Sequence, residues 1–371
     1  MKVYNPQTER QSFTKILNEV RNFRSFDVQK YLDAKSLVIN DYFLKNKLDT
    51  AVVAVSGGID SACVLAIMAY AQKQQGSSIK HIVAITLPLI DRIGATNQSE
   101  SIEKATILCK SQGIKLNIME IGQTFDLITN QVNKRVSEKN ETDAWALGQL
   151  TAYTRTPYLY YTTSVLSSEG KRAIIVGTTN RDEGAYLGYV GKASDAMVDI
   201  QIISDLHKSE VYSVSKKLGV PEIILEATPS GDMYDNRNDE EVFGASYDFV
   251  EIYINYLNMS KSTQNYLLSL MTETEKSSFE KMKENIEALH NYNRHKYLSG
   301  SQAIHLDVMK SSTKGGWIDM VHSTPHKTDL EELNKPIFSH NFSGFVNESP
   351  ALNLDWGVQT TQENIIISDK K

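Results

Sequence analysis

The residues best suited to chemistry stand in one short block, Ser56-Gly57-Gly58-Ile59-Asp60-Ser61. Paired glycines let a backbone turn tightly and present bare N–H groups. Ser56 and Ser61 add hydroxyl donors, and a helix starting here adds positive potential. Together they make an anion pocket that fits pyrophosphate. A carboxylate repels phosphate, so Asp60 makes sense as a ligand to a Mg2+ that bridges the phosphates. The block is neither a Walker A loop, since Gly-Lys-Ser/Thr is missing, nor a dinucleotide GxGxxG. The plainer alternative is a Gly-Gly strand end with Asp60 capping a helix.

A second constellation runs from Val176-Gly177-Thr178-Thr179-Asn180-Arg181-Asp182-Glu183 through Gly191-Lys192-Ala193-Ser194-Asp195 and Val198-Asp199-Ile200 to Ser204-Asp205-Leu206-His207-Lys208. A charge run is usually a solvated face. These charges are interrupted by Gly, Thr and Asn and flank apolar strands, which suits a site better. Taken one at a time, each lysine or aspartate would more often be a surface ion pair.

The elements that must position these residues alternate. Residues 51–55, 81–87, 115–121 and 172–177 read as strands, and 61–72, 97–112, 143–168 and 207–218 as helices. Such alternation predicts a doubly wound parallel sheet flanked by helices. Ligands of these sheets bind at the carboxyl ends of the strands, where both constellations fall. The first 50 residues read as polar helix, and 245–257 as a helix whose tyrosines pack in the core or face a second copy. Pro157 predicts a kink or a start within 143–168. We expect one domain over 1–309 and an irregular, partly ordered extension over 310–371, with weak periodicity and several Pro and Asn.

The chain has 371 residues, a net charge of −6 and a pI near 5.8. Proteins that live on nucleic acid usually carry a basic excess, so a small-molecule partner is expected and a nucleic-acid partner is not. Cys63 and Cys109 form no CxxC pair, which fits a reducing cytoplasm and argues against a zinc site. There is no apolar run of membrane-spanning length and no signal-peptide run. His322 and His326 are separated by Pro325, so a helical metal pair is not expected.

An SGGxDS block directly after an apolar strand resembles the ATP pyrophosphatases, which cleave ATP between the α and β phosphates. The second constellation is similar to the NAD synthetase family. Its ordered pattern continues through Pro229-Ser230-Gly231-Asp232-Met233, Asp239-Glu240-Glu241, Gly244-x-x-Tyr247, His295-Lys296 and His305-Leu306-Asp307. The resemblance covers roughly residues 15–309 and implies an adenine nucleotide alpha hydrolase-like fold. It implies that ATP adenylates the carboxylate of deamido-NAD, releasing pyrophosphate, and that ammonia then attacks the acyl-adenylate to give NAD and AMP.

Roles follow from the resemblance. Asp60 and Glu183 would hold Mg2+; Ser56, Gly57, Gly58 and Ser61 would cradle pyrophosphate; Lys208 and Ser230 would meet the ATP phosphates; Thr178 would lie near the adenosine. Lys192, Asp195, Asp199, Arg155, His295 and Lys296 would serve the deamido-NAD side, Asp195 also binding ammonium and taking its proton. The family's Arg-x-Arg pair is Tyr153-Thr154-Arg155 here, so only the second arginine matches. The loop 88–98 is longer than the common form and offers Arg92 and Gln98 as ATP contacts. Glutamine-using relatives fuse a large nitrilase-like domain, for which the residues before Ser56 leave no room. Free ammonia, or ammonia from a separate glutaminase, is therefore expected. The resemblance also implies a homodimer with deamido-NAD bound at its interface. The rival readings are another ATP pyrophosphatase with a different acid or carbonyl substrate, and a nucleotide-binding regulator without turnover, which would be expected to lose Asp60, Glu183 or Lys208.

Overall fold

A computed structural model describes residues 13–90, 98–136, 143–229, 237–293, 296 and 303–309. Ser230, His295, Arg92 and the extension 310–371 lie outside the described residues. Six strands form one all-parallel sheet in the order β3-β2-β1-β4-β5-β6. They are β1 (Thr50–Ala54), β2 (His81–Thr86), β3 (Leu116–Ile118), β4 (Ala173–Gly177), β5 (Ile200–Gln201) and β6 (Ile304–His305). The chain works outward from β1 to β3, then returns to β1's other side to lay down β4. That reversal is the switch point at which such sheets open a crevice.

Strand β1 shows why both faces are covered. Its side chains alternate, so Ala51 and Val53 enter one core and Val52 the other. Against the first face pack α2 (Val28–Lys45), α3 (Ile59–Gln72) and α7 (Lys208–Lys217). Helix α3 is buried nearly all round, and its Ala62, Ala66, Ala69 and Ala71 let neighbours approach closely. Against the second face pack α5 (Gly122–Val136) and α6 (Ala144–Ser168), through Phe125, Leu147 and Leu159; α4 (Ser99–Gln112) lies between β2 and β3 in sequence.

A third core joins α1 (Thr14–Arg24), α10 (Tyr247–Asn258) and α12 (Glu273–Asn293). Phe249 sits at its centre, edge-on to Phe13 at 5.7 Å and to Phe279 at 5.2 Å between ring centroids. The smaller helices α8 (Glu222–Leu225), α9 (Asp239–Phe243) and α11 (Lys261–Ser269) complete the chain order. Pro157 lies inside α6 rather than at a helix start. Helices α5, α11 and α12 and the two-residue strands β5 and β6 go beyond the elements expected from the sequence.

Candidate active site at the β1–β4 switch point

The site begins where β1 ends. Ser61 Oγ accepts from the Ser56 amide at 3.2 Å and donates to the Gly58 carbonyl at 3.0 Å, while Ser56 Oγ accepts from the Gly58 amide at 3.2 Å. The two serines thus hold their own loop in shape. Gly57 has φ +86°, and a Cβ there would stand 2.8 Å from the Ser101 carbonyl oxygen. Glycine is required on both counts. Gly58 is the N-cap of α3 and supplies no side-chain cap, so the helix start presents its amides outward.

Strand β4 ends beside it at Gly177. A Cβ on Gly177 would lie 2.4 Å from Gln201 Oε1, so the strand end needs glycine for this close approach. Thr178 and Thr179 follow; the Thr179 amide donates to Gln201 Oε1 at 3.2 Å. Asn180 then reaches across the switch point and donates to Asp60 Oδ1 at 2.9 Å. Glu183 opens a π-helical turn, Glu183–Leu187, and the carbonyls at and just after its end are fastened by α12 and by Lys296 beyond it. The Asn293 amide donates to Leu187 and Lys296 to Gly188, while the His290 ring stacks on Tyr186 at 4.0 Å. Such turns tend to mark functional sites.

Lys208, the first residue of α7, joins the two strand ends. Its ammonium lies 2.6 Å from Asp60 Oδ2 and 2.9 Å from Glu183 Oε1, and 4.8 Å from the Tyr247 ring centroid. Burial alone would lower its pKa, but Asp60 and Glu183 together hold it above the ordinary lysine value. Burial raises Asp60, Lys208 pulls it back, and Glu183 pushes it up again. Tyr247 hydroxyl sits 2.7 Å from Glu183 Oε1 and 2.8 Å from Asp239 Oδ2. Burial and the Glu183 charge push Asp239 up to about 6, and its other oxygen, Oδ1, is buried and has no hydrogen-bond partner among the described residues. Three carboxylates therefore surround one ammonium, an acid excess that suits a further cation.

Behind this cluster lies a buried polar chain. Asp182 accepts from the Lys208 amide at 2.7 Å and is 2.5 Å from His207 Nδ1. Burial raises Asp182 to about 7, against the pull of the Lys208 amide. Burial also lowers His207 to about 3, with the Arg24 charge adding to the effect. The imidazole is neutral at physiological pH.

Of the residues singled out from sequence, the structure brings Ser56, Gly57, Gly58, Asp60, Ser61, Glu183 and Lys208 together, with Thr178 at the adjoining strand end. Lys192, Asp195 and Lys296 form a second group: burial first, then Lys192, lower the Lys296 pKa, and Asp195 opposes them. Asp195 Oδ2 accepts from the Gly191 amide at 2.9 Å and from Ser194 Oγ at 3.1 Å. Arg155 donates to the Leu87 carbonyl just past β2, at 3.3 Å. Asp199 stands apart, accepting from the Ile175 amide at 2.7 Å; burial raises the pKa of Tyr42 and Tyr160, and the Asp199 charge adds to it. Gln98 Oε1 accepts from the Leu89 amide at 2.8 Å. Sequence reasoning gives Asn180, Asp182, His207, Asp239 and Tyr247 a place in the ordered pattern but no role, and gives Asn255 neither.

The description NAD synthase matches residues 31–299. The chain belongs to that family. An NH(3)-dependent NAD(+) synthetase of Methanococcoides burtonii is 31% identical over 225 residues, 59% of this chain and 77% of that protein. One from Pyrococcus furiosus is 28% identical over 211 residues, 57% and 73% of the two chains. The NAD+ synthetase structure from Burkholderia pseudomallei superposes with a TM-score of 0.54 at 17% identity, covering 79% of this chain and 97% of that one. The NMN synthetase structure from Francisella tularensis gives 0.57 at 22%, covering 73% and 96%. Both show the NAD synthase family fold. Among the described residues no helix is long and apolar enough to cross a membrane.

Proposed function

We propose that the β1–β4 crevice carries out ATP-dependent amidation of deamido-NAD by ammonia, through an acyl-adenylate, with release of pyrophosphate and AMP. The observation that carries this reading is the single ammonium of Lys208 set between Asp60 and Glu183, beside a self-held Ser-Gly-Gly loop at a helix start. ATP's β and γ phosphates would lie on the loop amides, with Ser56, Gly57, Gly58 and Ser61 as their cradle and Ser230 as a further contact. Lys208 would neutralise charge that grows on the departing pyrophosphate, where a fixed charge lowers the barrier most. Thr178 would border the adenosine.

Mg2+ is the expected metal. Mg2+ is held by one or two carboxylates plus phosphate oxygens. Asp60 and Glu183 would hold it, and bound there it would neutralise phosphate charge. Lys192, Asp195, Asp199, Arg155, His295 and Lys296 would serve the deamido-NAD side, with Asp195 accepting the proton that ammonia loses on attack.

Homodimerisation is part of the proposal, supported by apolar side chains left exposed on α5 and α6: Leu127 at 58%, Val136 at 75% and Trp145 at 51%. A cytoplasmic setting is supported by two buried free cysteines. The deciding experiment supplies ATP, Mg2+, ammonium and deamido-NAD to the purified chain and follows AMP, pyrophosphate and NAD. One-to-one release with ammonium alone is expected. Turnover only with glutamine and a second protein would overturn the stand-alone reading, and AMP release with a different acid would overturn the substrate.

A further inference from the structure

The Asn255–His207–Asp182 chain runs from a half-buried amide to two buried groups, and its hydrogen bonds have a fixed direction. Asn255 Nδ2 lies 2.9 Å from His207 Nε2 and also donates to the Glu251 carbonyl at 2.8 Å, which sets the orientation of the amide. His207 Nε2 is therefore an acceptor, and the ring proton sits on Nδ1. From there it is donated to Asp182 Oδ1 at 2.5 Å, while Asp182 Oδ2 takes the Lys208 amide at 2.7 Å. Both Asp182 and His207 are fully inaccessible to solvent. Glu210 closes the other side by accepting from the His207 amide at 2.9 Å.

The consequence is mechanical. Asp182 is next to Glu183 on the β4 side of the crevice, and His207 is next to Lys208 on the α7 side. The Asp182 carboxylate joins the two sides twice, once through the ring and once through the backbone amide. We infer that Asn255, His207 and Asp182 form a directional positioning chain that holds the Lys208 ammonium and Glu183 in register across the crevice. These are positioning residues, since none of them faces the crevice. The inference rests on the proposed role of Lys208 at the ATP phosphates. Charge on the pyrophosphate grows during the reaction, so a displaced Lys208 harms the transition state more than ATP binding.

The chain can be tested by reversing it. In Asp182→Asn the carboxamide has only one acceptor oxygen for two donors, His207 Nδ1–H and the Lys208 amide. The imidazole relieves the conflict by moving its proton to Nε2, where it meets the donor of Asn255. Adding Asn255→Asp supplies an acceptor there and restores both bonds of the imidazole with the polarity inverted, while the bond to the Glu251 carbonyl is lost. At saturating substrates and about pH 8, Asp182→Asn is expected to lower kcat about 30-fold while the KM for ATP changes less than about threefold. Asp182→Asn/Asn255→Asp is expected to recover kcat to within about fivefold of the unmodified enzyme.

Asn255→Leu removes only the outer donor and serves if Asp182→Asn does not fold; a kcat loss of about threefold with unchanged ATP KM is expected. An unchanged kcat in whichever single variant folds overturns the inference. So does a double variant whose melting temperature recovers while kcat does not, because then the chain only stabilises. Lys208→Ala is measured in parallel. If it retains activity, the reading of the crevice itself fails; if it is inactive while Asp182→Asn is normal, only the positioning chain fails.

Discussion

Two buried lysine–aspartate pairs grow from the same connection between β5 and α7, and they differ in how completely they are satisfied. Lys35 and Asp205 are both wholly inaccessible, 3.1 Å apart. Asp205 also accepts from Tyr31 hydroxyl at 3.0 Å and from the amides of Val308 and Met309 at 2.8 and 3.0 Å, and Lys35 donates to the Leu306 carbonyl. These bonds stitch α2, the β5–α7 connection and the segment after β6 into one body. Lys208 instead faces two carboxylates whose side chains are 19% and 15% exposed, Asp60 and Glu183, near a third with a spare oxygen. A saturated buried network specifies structure, whereas an unsaturated one at a strand end is free to meet a ligand.

The sharpest way to break this comparison is to remove one acid from each pair. Asp60→Ala is expected to lower pyrophosphate release with deamido-NAD by at least about 10³-fold, roughly 4 kcal/mol of barrier, because the phosphate-bound cation loses a ligand. Its melting temperature should hold or rise, since it relieves acid crowding around Lys208. Turnover near the unmodified rate would remove Asp60 from the chemistry.

Lys35→Met should behave in the opposite way. It leaves the Asp205 charge buried without its counter-ion, which costs about 3–5 kcal/mol. Urea denaturation measures that loss, and the kcat of the folded fraction should stay within about twofold. A stable, inactive Lys35→Met enzyme would show that the two pairs are not divided into structural and chemical roles.

Much of this division is legible in the chain before folding. The Ser56–Ser61 block announces itself because glycine pairs, hydroxyls and an acid follow an apolar run, and Glu183 and Lys208 share an ordered pattern with it. The parallel sheet is legible because Ala51–Val55 has no polar face to show. Helix α5 is not: Leu127 and Val132 point outward, 58% and 48% exposed, so its apolar residues do not make a clean stripe. Strands β5 and β6 have two residues each, too few for any period. Pro157 is carried inside α6 by the packing of its neighbours, against its own local preference. The His207–Asn255 contact spans 48 positions, and nothing local signals it.

The buried chain behind Lys208 sharpens the comparison through pH. His207 is lowered to about 3, so its contribution to stability is present above about pH 6.5 and is lost as pH falls from there toward 3. Asp182 is raised to about 7, so its contribution is present at low pH and is lost as pH rises from about 4 through 7. Between about pH 6.5 and pH 4 the two slopes oppose, each on the order of 3 kcal/mol, and nearly cancel. In the unmodified protein this pair should therefore add little net pH dependence over that interval. Asp182→Asn should lose stability on acidification, and His207→Asn should gain it. Equal slopes in both variants would contradict these shifts.

The smallest effect belongs to a third kind of pair, at the rim. Arg21 meets Asp248 at 3.0 Å and Glu251 at 2.8 Å, but its side chain is 40% exposed. Solvent screens it, and Glu251 keeps its bond from Ser209 Oγ at 2.9 Å when the guanidinium is gone. Glu251 itself is only 2% exposed and loses its cation, so Arg21→Gln should cost about 1–2 kcal/mol, of which the part owed to the more exposed Asp248 should shrink in high salt. Its neighbour Arg24 also pairs with an acid, Glu210, but its side chain is only 4% exposed. Arg24→Gln leaves Glu210 buried without that cation and should cost several times more, with little dependence on salt. Urea denaturation of the two variants at low and high ionic strength compares them directly. Equal costs would mean that exposure is not what separates the pairs of this protein.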